Sequence, residues 1–222
     1  LEFYQLDLEL SFCSEDDILN IGEEIFYDTF TKFSNKFVSP RPFRRISYKD
    51  AIDKYGTDKP DLRYDMEIQD ITDIFKNTEF TIFKSIIDED GIINAIVAKN
   101  VADKYSRKDI DKLTDYVKEK KAKGLAYLKF NEEVTGSIAK VVSKSEIDKL
   151  KEKLNITNND IVFIISGNKK IVKSALGSLR IKIANDLNLI DKNRLELCII
   201  NDFPMFEYER TKKMGFFRSM VE

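Results

Sequence analysis

The fold is decided by one stretch, Asp160-Ile161-Val162-Phe163-Ile164-Ile165-Ser166, in which apolar residues follow one another without interruption. A short apolar run bounded by turn residues predicts a strand that is buried on both faces. Gly167 and Asn168 come next and have the chemistry of a turn. From Lys169 to about Leu187, apolar residues recur at helical spacing, which predicts a long amphipathic helix.

Shorter elements surround this strand and helix. Apolar runs predict the following strands: Ile92 to Val97, Gly124 to Phe130 and Leu195 to Ile200. Helical spacing and cap residues predict two further helices: Ser106 to about Lys121, and Ser143 or Ser145 to Leu154. Because helices and strands intermix without regular alternation, we predict an α+β fold of two layers, with helices on one face of a mixed sheet.

The first part of the chain predicts a strand and two helices. Leu6, Leu8 and Leu10 alternate with acidic residues, as in a strand with one apolar face. Ser14 and the acids after it predict the start of a helix that runs to about Phe33, and we expect its phenylalanines to pack in a core. A shorter helix is predicted from Ser47 to Gly56.

Composition excludes several classes of site. The net charge of -2, from 37 Lys and Arg against 39 Asp and Glu, argues against a uniformly basic nucleic-acid-binding protein, although a local basic face remains compatible with it. The absence of histidine excludes His-based triads and His metal sites. Cys13 and Cys198 are far apart and outside any CxxC, which favours free thiols. No apolar run approaches the roughly 18 residues of a membrane span, and we expect a cytoplasmic protein. We also expect no metal site.

Several stretches, in a consistent order, resemble the bacterial-type aspartyl-tRNA synthetases. The stretch Tyr55-Gly56-Thr57-Asp58-Lys59-Pro60-Asp61-Leu62-Arg63 resembles that family's YGSDKPDLR. Residues 2–12 resemble the strand that follows the arginine of class II motif 2. The stretches that resemble the inserted GAD domain, which also occurs in tRNA-dependent amidotransferase subunits, are 123–127, 168–172 and 177–180. Residues 202–207 resemble the return to the catalytic core.

The resemblance implies a domain organisation. Residues 1–71 and 201–222 would be parts of the class II catalytic core, an antiparallel strand plus helices, around a GAD-like insertion at 72–200. The end is atypical, because the family has a histidine-containing segment where this chain reads Lys212-Lys213-Met214-Gly215-Phe216.

The resemblance also implies an activity. The family activates aspartate with ATP and magnesium, transfers it to tRNA and works as a homodimer. The motif 2 arginine, motif 3 and the dimer-forming motif 1 are absent from this chain, so we expect an internal fragment that is inactive alone and binds no ATP or magnesium. The alternative is a stand-alone GAD-domain module that binds tRNA or a tRNA-dependent amidotransferase assembly.

Gln5 and Asp7 are the candidate substrate-binding residues. They lie two apart and so share one face of the predicted strand. The resemblance implies that they bind the ammonium group of aspartate, as a vestigial site in a fragment with no catalytic residues of its own. The other interpretation is a solvated polar face.

Two charged sets also have two interpretations each. The loop residues Asp58, Lys59, Asp61 and Arg63 fit either a substrate or tRNA contact or a local ion-pair network around Pro60, and we favour the network. The helix residues Lys169, Lys170, Lys173, Arg180 and Lys182 fit either a contact with tRNA phosphates or a solvated face, and we favour the solvated face.

Overall fold

The structure, a computed structural model, describes residues 2–210 and 215–219. The α-helices in these residues are α1 Glu15–Phe33, α2 Tyr48–Tyr55, α3 Thr81–Asp88, α4 Arg107–Glu119, α5 Lys144–Lys153 and α6 Lys169–Asp186. The strands are β1 Phe37–Val38, β2 Arg44–Ser47, β3 Gln69–Asp70, β4 Ile92–Ala98, β5 Ala126–Phe130, β6 Val134–Gly136, β7 Asp160–Gly167, β8 Arg194–Leu195, β9 Cys198–Asn201, β10 Phe206–Arg210 and β11 Gly215–Ser219. Two short 3₁₀ helices span Thr72–Phe75 and Ala102–Lys104. In this described part, none of the helices combines the length and apolarity that crossing a membrane requires.

The chain divides into two compact units. The first unit comprises Leu1–Arg45 and Asp191–Ile199, and the second comprises Ile46–Ile190 and Ile200–Glu222. The chain passes from the first unit to the second within β2, back to the first after Ile190, and again to the second within β9.

The second unit contains a five-stranded sheet in the order β3-β4-β7-β5-β6. Every neighbouring pair of strands in it is antiparallel. The prediction of a mixed sheet is therefore wrong. Helix α4 returns the chain so that β4 and β5 run in the same direction, but β7 inserts between them and runs the opposite way. A crossover helix thus joins two strands that are parallel but not adjacent.

Both faces of this sheet are covered. Along β7, Ile161, Phe163 and Ile165 belong to one buried cluster, while Val162 and Ile164 belong to another. The first cluster includes side chains of α4 and α6, and the second includes side chains of α3, α5 and the 3₁₀ helix Thr72–Phe75. The prediction of two layers with helices on one face is therefore wrong. A strand that is apolar on both faces requires cover on both.

The predicted boundaries of most elements are confirmed. The side chains of Ser14, Ser47, Ser106, Ser143 and Asn168 accept hydrogen bonds from backbone N–H groups of the first turns of α1, α2, α4, α5 and α6. Strand β7 is buried along most of its length, as its apolar run predicts. Helix α3 and strand β6 were not predicted. The strand predicted at 195–200 is divided between β8 and β9.

Helix α1, in the first unit, is exposed along most of its surface. Its ends agree with the prediction, but Glu23 is its only buried residue among those described. Phe26 and Phe33 are 57% and 79% exposed. The expectation that this helix packs its phenylalanines in a core is therefore wrong for the described residues, because helical periodicity shows which face is apolar but not whether the unit supplies a partner for it.

Residues 2–10, also in the first unit, form no strand. Leu6 and Leu8 are 70% and 52% exposed. The predicted strand is therefore not present, because alternation gives a segment two faces but a strand forms only when a neighbouring strand pairs with its backbone. No described residue does so here. The predicted atypical end of the chain lies partly outside the described residues, at 211–214 and 220–222.

Candidate functional site

Helices α2 and α6 of the second unit touch through two glycines. Gly56 ends α2 in the left-handed conformation, with φ of 70°. A Cβ atom on Gly56 would collide with the carbonyl oxygen of Lys173, and one on Gly177 would lie 2.6 Å from the carbonyl oxygen of Tyr55. The two backbones are therefore in direct contact, which fixes the point where the loop after α2 begins.

The loop at residues 57–66, the 57–66 loop, is held first by its own polar side chains. The hydroxyl of Thr57 accepts a hydrogen bond of 3.2 Å from the backbone N–H of Lys59. Asp61 accepts two hydrogen bonds from the guanidinium of Arg63, of 2.9 and 2.7 Å, and a third from the backbone N–H of Arg63. The predicted local ion pair is therefore confirmed for Asp61 and Arg63.

A buried arginine of α6 anchors the rest of this loop. Arg180 is 1% exposed. Its guanidinium donates to the carbonyl oxygens of Asp61, Tyr64 and Met66 at 2.7, 3.1 and 3.1 Å, and to the hydroxyl of Tyr64 at 3.1 Å. It also lies over the rings of Tyr64 and Tyr55, at 4.1 and 5.0 Å from their centroids. One side chain thus joins α6 to the end of α2 and to both halves of the loop.

Burial has a cost that these contacts offset. Desolvation lowers the pKa of the Arg180 guanidinium, but arginine remains protonated in proteins. Carbonyl oxygens and aromatic faces are favourable partners for such a cation. The described contacts therefore give Arg180 a structural role.

Lys173, one turn before Gly177, is also buried. It is 6% exposed and forms an ion pair with Asp53 of α2. The interpretation of the α6 cations as one solvated or tRNA-facing set is therefore wrong for Lys173 and Arg180. The signal was present in the sequence, because Arg180 is four residues after Leu176 and three before Ile183, on the apolar stripe of the helix.

A cavity of about 670 Å³ lies beside this contact, entirely within the second unit. Its lining residues are Tyr48, Ile52, Gly56, Thr57, Asp58, Asn168, Lys169, Lys170, Lys173 and Ser174. Its volume is in the range of small-molecule sites. Lys169 and Lys170 are exposed, and Asp58 places a carboxylate among the lysines. The cavity therefore presents charges of both signs.

The Asp61–Arg63 pair predicts a response to acid. The hydrogen bond from Arg63 holds the pKa of Asp61 below its ordinary value of 3.8. A carboxylate with a lowered pKa in the folded state contributes stability above its unfolded pKa, and that stability is lost as pH falls through the folded pKa. We therefore expect the NMR chemical shift of the Arg63 Nε–H to change only on the acid side of pH 3.8, where protonation of Asp61 weakens this hydrogen bond.

The variant Asp61→Asn provides the control for this titration. It removes the charge, so the chemical shift of the Arg63 Nε–H should already be displaced at neutral pH and should show no acid transition. A sharp transition in the variant would assign the effect to another group.

The predicted aspartate-binding residues lie in the first unit. Gln5 and Asp7 are exposed, and the Gln5 side-chain amide donates a hydrogen bond of 2.8 Å to the carboxylate of Asp7. This contact shows that the two side chains share one side of the extended segment, as their spacing predicts. Their role in binding aspartate stays a prediction.

The cysteines and possible metal ligands give simple results. Cys13 and Cys198 are free thiols, as predicted. Within residues 2–210 and 215–219, no group of three or more Cys, Asp or Glu side chains is arranged to hold a metal ion.

Comparison with known proteins gives a domain and a set of relatives. The family model of the GAD domain matches residues 83–176. The chain is 42% identical over 218 residues to an aspartate–tRNA(Asp/Asn) ligase of Rickettsia prowazekii (strain Madrid E), covering 97% of this chain and 36% of that protein. It is 38% identical over 213 residues to the aspartate–tRNA ligase of Staphylococcus saprophyticus, covering 96% of this chain and 36% of that protein.

A third relative is equally similar. The aspartate–tRNA(Asp/Asn) ligase of a Hydrogenobaculum species is 43% identical over 208 residues, which cover 93% of this chain and 34% of that protein. In all three cases the similarity extends well beyond the GAD domain on both sides. The chain therefore corresponds to a segment of aspartate–tRNA ligases that contains the GAD domain, and it spans about a third of the length of the curated relatives it matches.

Proposed function

We propose that this chain works as part of an enzyme that activates aspartate with ATP and magnesium and transfers it to tRNA. The observation that carries the proposal is the identity of about 40% to aspartate–tRNA ligases over nearly the whole chain. A module with a GAD domain alone would not share the flanking residues 2–12 and 55–63 with these enzymes.

Within that enzyme, we propose that residues 1–71 and 201–222 belong to the class II catalytic core and residues 72–200 to the insertion. Gln5 and Asp7 would contribute to the pocket for the aspartate ammonium group. The 57–66 loop would belong to the core, and Arg180 of the insertion would hold it in place. The hydrogen bonds from Arg180 to the loop carbonyls support this last role.

The phosphate-handling groups of the reaction are proposed to lie outside this chain. Attack of a carboxylate on the α-phosphate develops negative charge that cations must stabilise, and the stretches that resemble the family do not include its motif 2 arginine or motif 3. The resemblance also supports a cytoplasmic homodimer for the whole protein.

We expect no aspartate-dependent exchange of pyrophosphate into ATP from the purified chain. The measurement is incorporation of labelled pyrophosphate into ATP, with a full-length aspartate–tRNA ligase as the positive control. Exchange above the no-enzyme background that requires aspartate would contradict the assignment of the missing groups to other parts of the enzyme.

A stand-alone GAD-domain module that binds tRNA or a tRNA-dependent amidotransferase assembly is the second candidate. Lys169 and Lys170 favour it, because both are exposed beside the cavity. The burial of Lys173 and Arg180 leaves it fewer cations. A gel shift with tRNA that weakens steeply with salt would support this candidate, and no shift at low salt would exclude tRNA as its ligand.

A further inference from the structure

Two adjacent cavities lie at one end of the five-stranded sheet in the second unit. They enclose about 310 and 330 Å³, and Ile86, Lys123 and Ser166 line both of them. Each is at the lower end of the size range of small-molecule sites. Their walls lie between residues 80 and 171, almost wholly inside the matched GAD domain. Ser166, at the boundary between the two cavities, is half-buried rather than enclosed.

Strand β7 loses one of its two neighbours before it ends. Its ladder with β4 continues to Gly167, but its ladder with β5 stops at the pair of Ala126 and Ile164. Among the described residues, Ser166 has no backbone partner on the side of β5. The residue that would oppose it in a longer ladder is Gly124, where an added Cβ atom would meet no other atom within 4 Å.

The backbone N–H and C=O of Ser166 point to that vacant side. Backbone groups of successive strand residues point to alternate sides. The backbone of Tyr127 bonds to Ser137, on the side of β5 away from β7. Its neighbour Ala126 therefore faces β7, and the paired Ile164 faces β5. Ser166 is two residues after Ile164, so its N–H and C=O face the same way.

An unpaired strand residue of this kind is complementary to a free amino acid. Its N–H can donate to the carboxylate and its C=O can accept from the ammonium group, which are the two bonds of an antiparallel pair. Residues opposite each other in such a pair carry their side chains on the same face of the sheet. An L-amino acid paired with Ser166 therefore directs its side chain to the face on which Ser166 and Ile164 lie.

The cavity on that face is apolar, and the adjoining cavity is charged. The side chains of Phe83, Ile86 and Ile164 belong to the buried cluster of this face. The large apolar residues that line the first cavity are Phe80, Ile82, Phe83, Ile86, Leu125, Ile138 and Ile164. The second cavity is lined by exposed acids and lysines, which are Glu89, Asp90, Lys121, Lys123 and Lys169. Charges of both signs beside an apolar compartment match a zwitterion with an apolar side chain.

We propose that these two cavities bind a free L-amino acid with a large apolar side chain, such as leucine, paired with the backbone of Ser166. The side chain fills the apolar cavity, while the lysines and the two acids complement the carboxylate and the ammonium group. A peptide is a poorer match, because its internal residues carry neither charge. The site does not include Gln5 or Asp7, so it is distinct from the pocket proposed for aspartate.

The test compares three small molecules with the isotope-labelled whole chain by NMR titration. L-Leucine is the probe, D-leucine directs its side chain to the other face, and 4-methylpentanoate lacks the ammonium group. L-Leucine should bind about tenfold more tightly than either, the scale of one hydrogen bond to a charged group. It should also shift the amide signal of Ser166. Equal affinities, or no binding of L-leucine at millimolar concentration, would overturn the proposal.

Three variants locate the site. Ser166→Pro deletes the N–H that faces away from β4, so it should abolish binding without breaking the β4 ladder. Glu89→Gln combined with Asp90→Asn should abolish the preference for L-leucine over 4-methylpentanoate. Asparagine tolerates the φ of 55° at Asp90. Asp88→Asn is the matched control and should keep the preference, because Asp88 is an exposed neighbour that lines neither cavity.

Circular dichroism establishes that each variant is folded. Unchanged binding by folded Ser166→Pro would rule out the backbone pair. If that variant does not fold, the acidic variants and the parent chain decide: an unchanged preference in the double variant, with no shift of the Ser166 amide in the parent, would place the ligand elsewhere.

Discussion

Replacing Arg180 with methionine is expected to lower the free energy of unfolding of the second unit by roughly 3 kcal/mol, the scale for removing several hydrogen bonds from a buried charged group. Methionine keeps most of the volume and packs well, so the loss reports the guanidinium rather than a cavity. Three carbonyl oxygens and the hydroxyl of Tyr64 lose their donor. The 57–66 loop should then exchange its amide hydrogens much faster than in the parent chain.

Urea unfolding, monitored by circular dichroism, gives the free energy of unfolding. Hydrogen exchange, measured by mass spectrometry, gives the exchange rates of the amides in the 57–66 loop. Arg180→Lys should also destabilise, since one ammonium group cannot reach acceptors on both sides of the guanidinium plane. Lys182→Met is the matched control on the exposed side of α6, where the pair with Asp186 contributes about 0.5 kcal/mol or less. A stability loss in Arg180→Met no larger than in Lys182→Met would refute the anchoring role.

Replacing a helix glycine with alanine should lower stability at Gly177 and raise it at Gly22. At Gly177 a new methyl group would lie 2.6 Å from the carbonyl oxygen of Tyr55 and 3.0 Å from the Cα of Gly56. These atoms are backbone and cannot move aside without separating α2 from α6. Overpacking of this kind costs about 1 to 3 kcal/mol, more than the gain of about 1 kcal/mol that alanine brings to a helix. Gly177→Ala should therefore destabilise the second unit.

At Gly22 only the gain applies. No atom lies within 4 Å of the new methyl group, so Gly22→Ala should stabilise α1 by up to about 1 kcal/mol. Hydrogen exchange at the amides of α1 and α6, measured in both variants, separates the two effects. Slower exchange in α6 of Gly177→Ala, or faster exchange in α1 of Gly22→Ala, would show that backbone contact does not control these positions.

Local chemistry in the sequence was sufficient for most elements of the second unit. Capping serines and the apolar run at 161–165 act within a few residues, so the helices α4 to α6 and strand β7 were predicted. Strand directions were not, because the insertion of β7 between β4 and β5 is a long-range event. The helices on the second face of the sheet were not all predicted, in part because no side chain caps the start of α3, so the sequence has no capping signal there.

The site was predicted less completely than the fold. Asp61 and Arg63 are two positions apart, so their ion pair could be predicted from their proximity in the sequence. Arg180 reaches carbonyls more than a hundred positions away, and its charge suggested a surface role that its place on the apolar stripe contradicts. In the first unit, the patterns of residues 6–10 and α1 predict apolar faces. They carried no information on what covers those faces.

The contact between Gly56 and Gly177 bears on what can be inherited as a module. The matched GAD range ends at residue 176, in the middle of α6. Gly177, Leu179, Arg180 and Ile183, which complete the packing of that helix, come after it. A recombination event that moved residues 83–176 alone would carry half a helix and leave its counterpart behind. The smallest segment that can be transferred between proteins must therefore extend to the end of α6. The receiving protein must also have a residue without a side chain, as at Gly56, where Gly177 makes its contact.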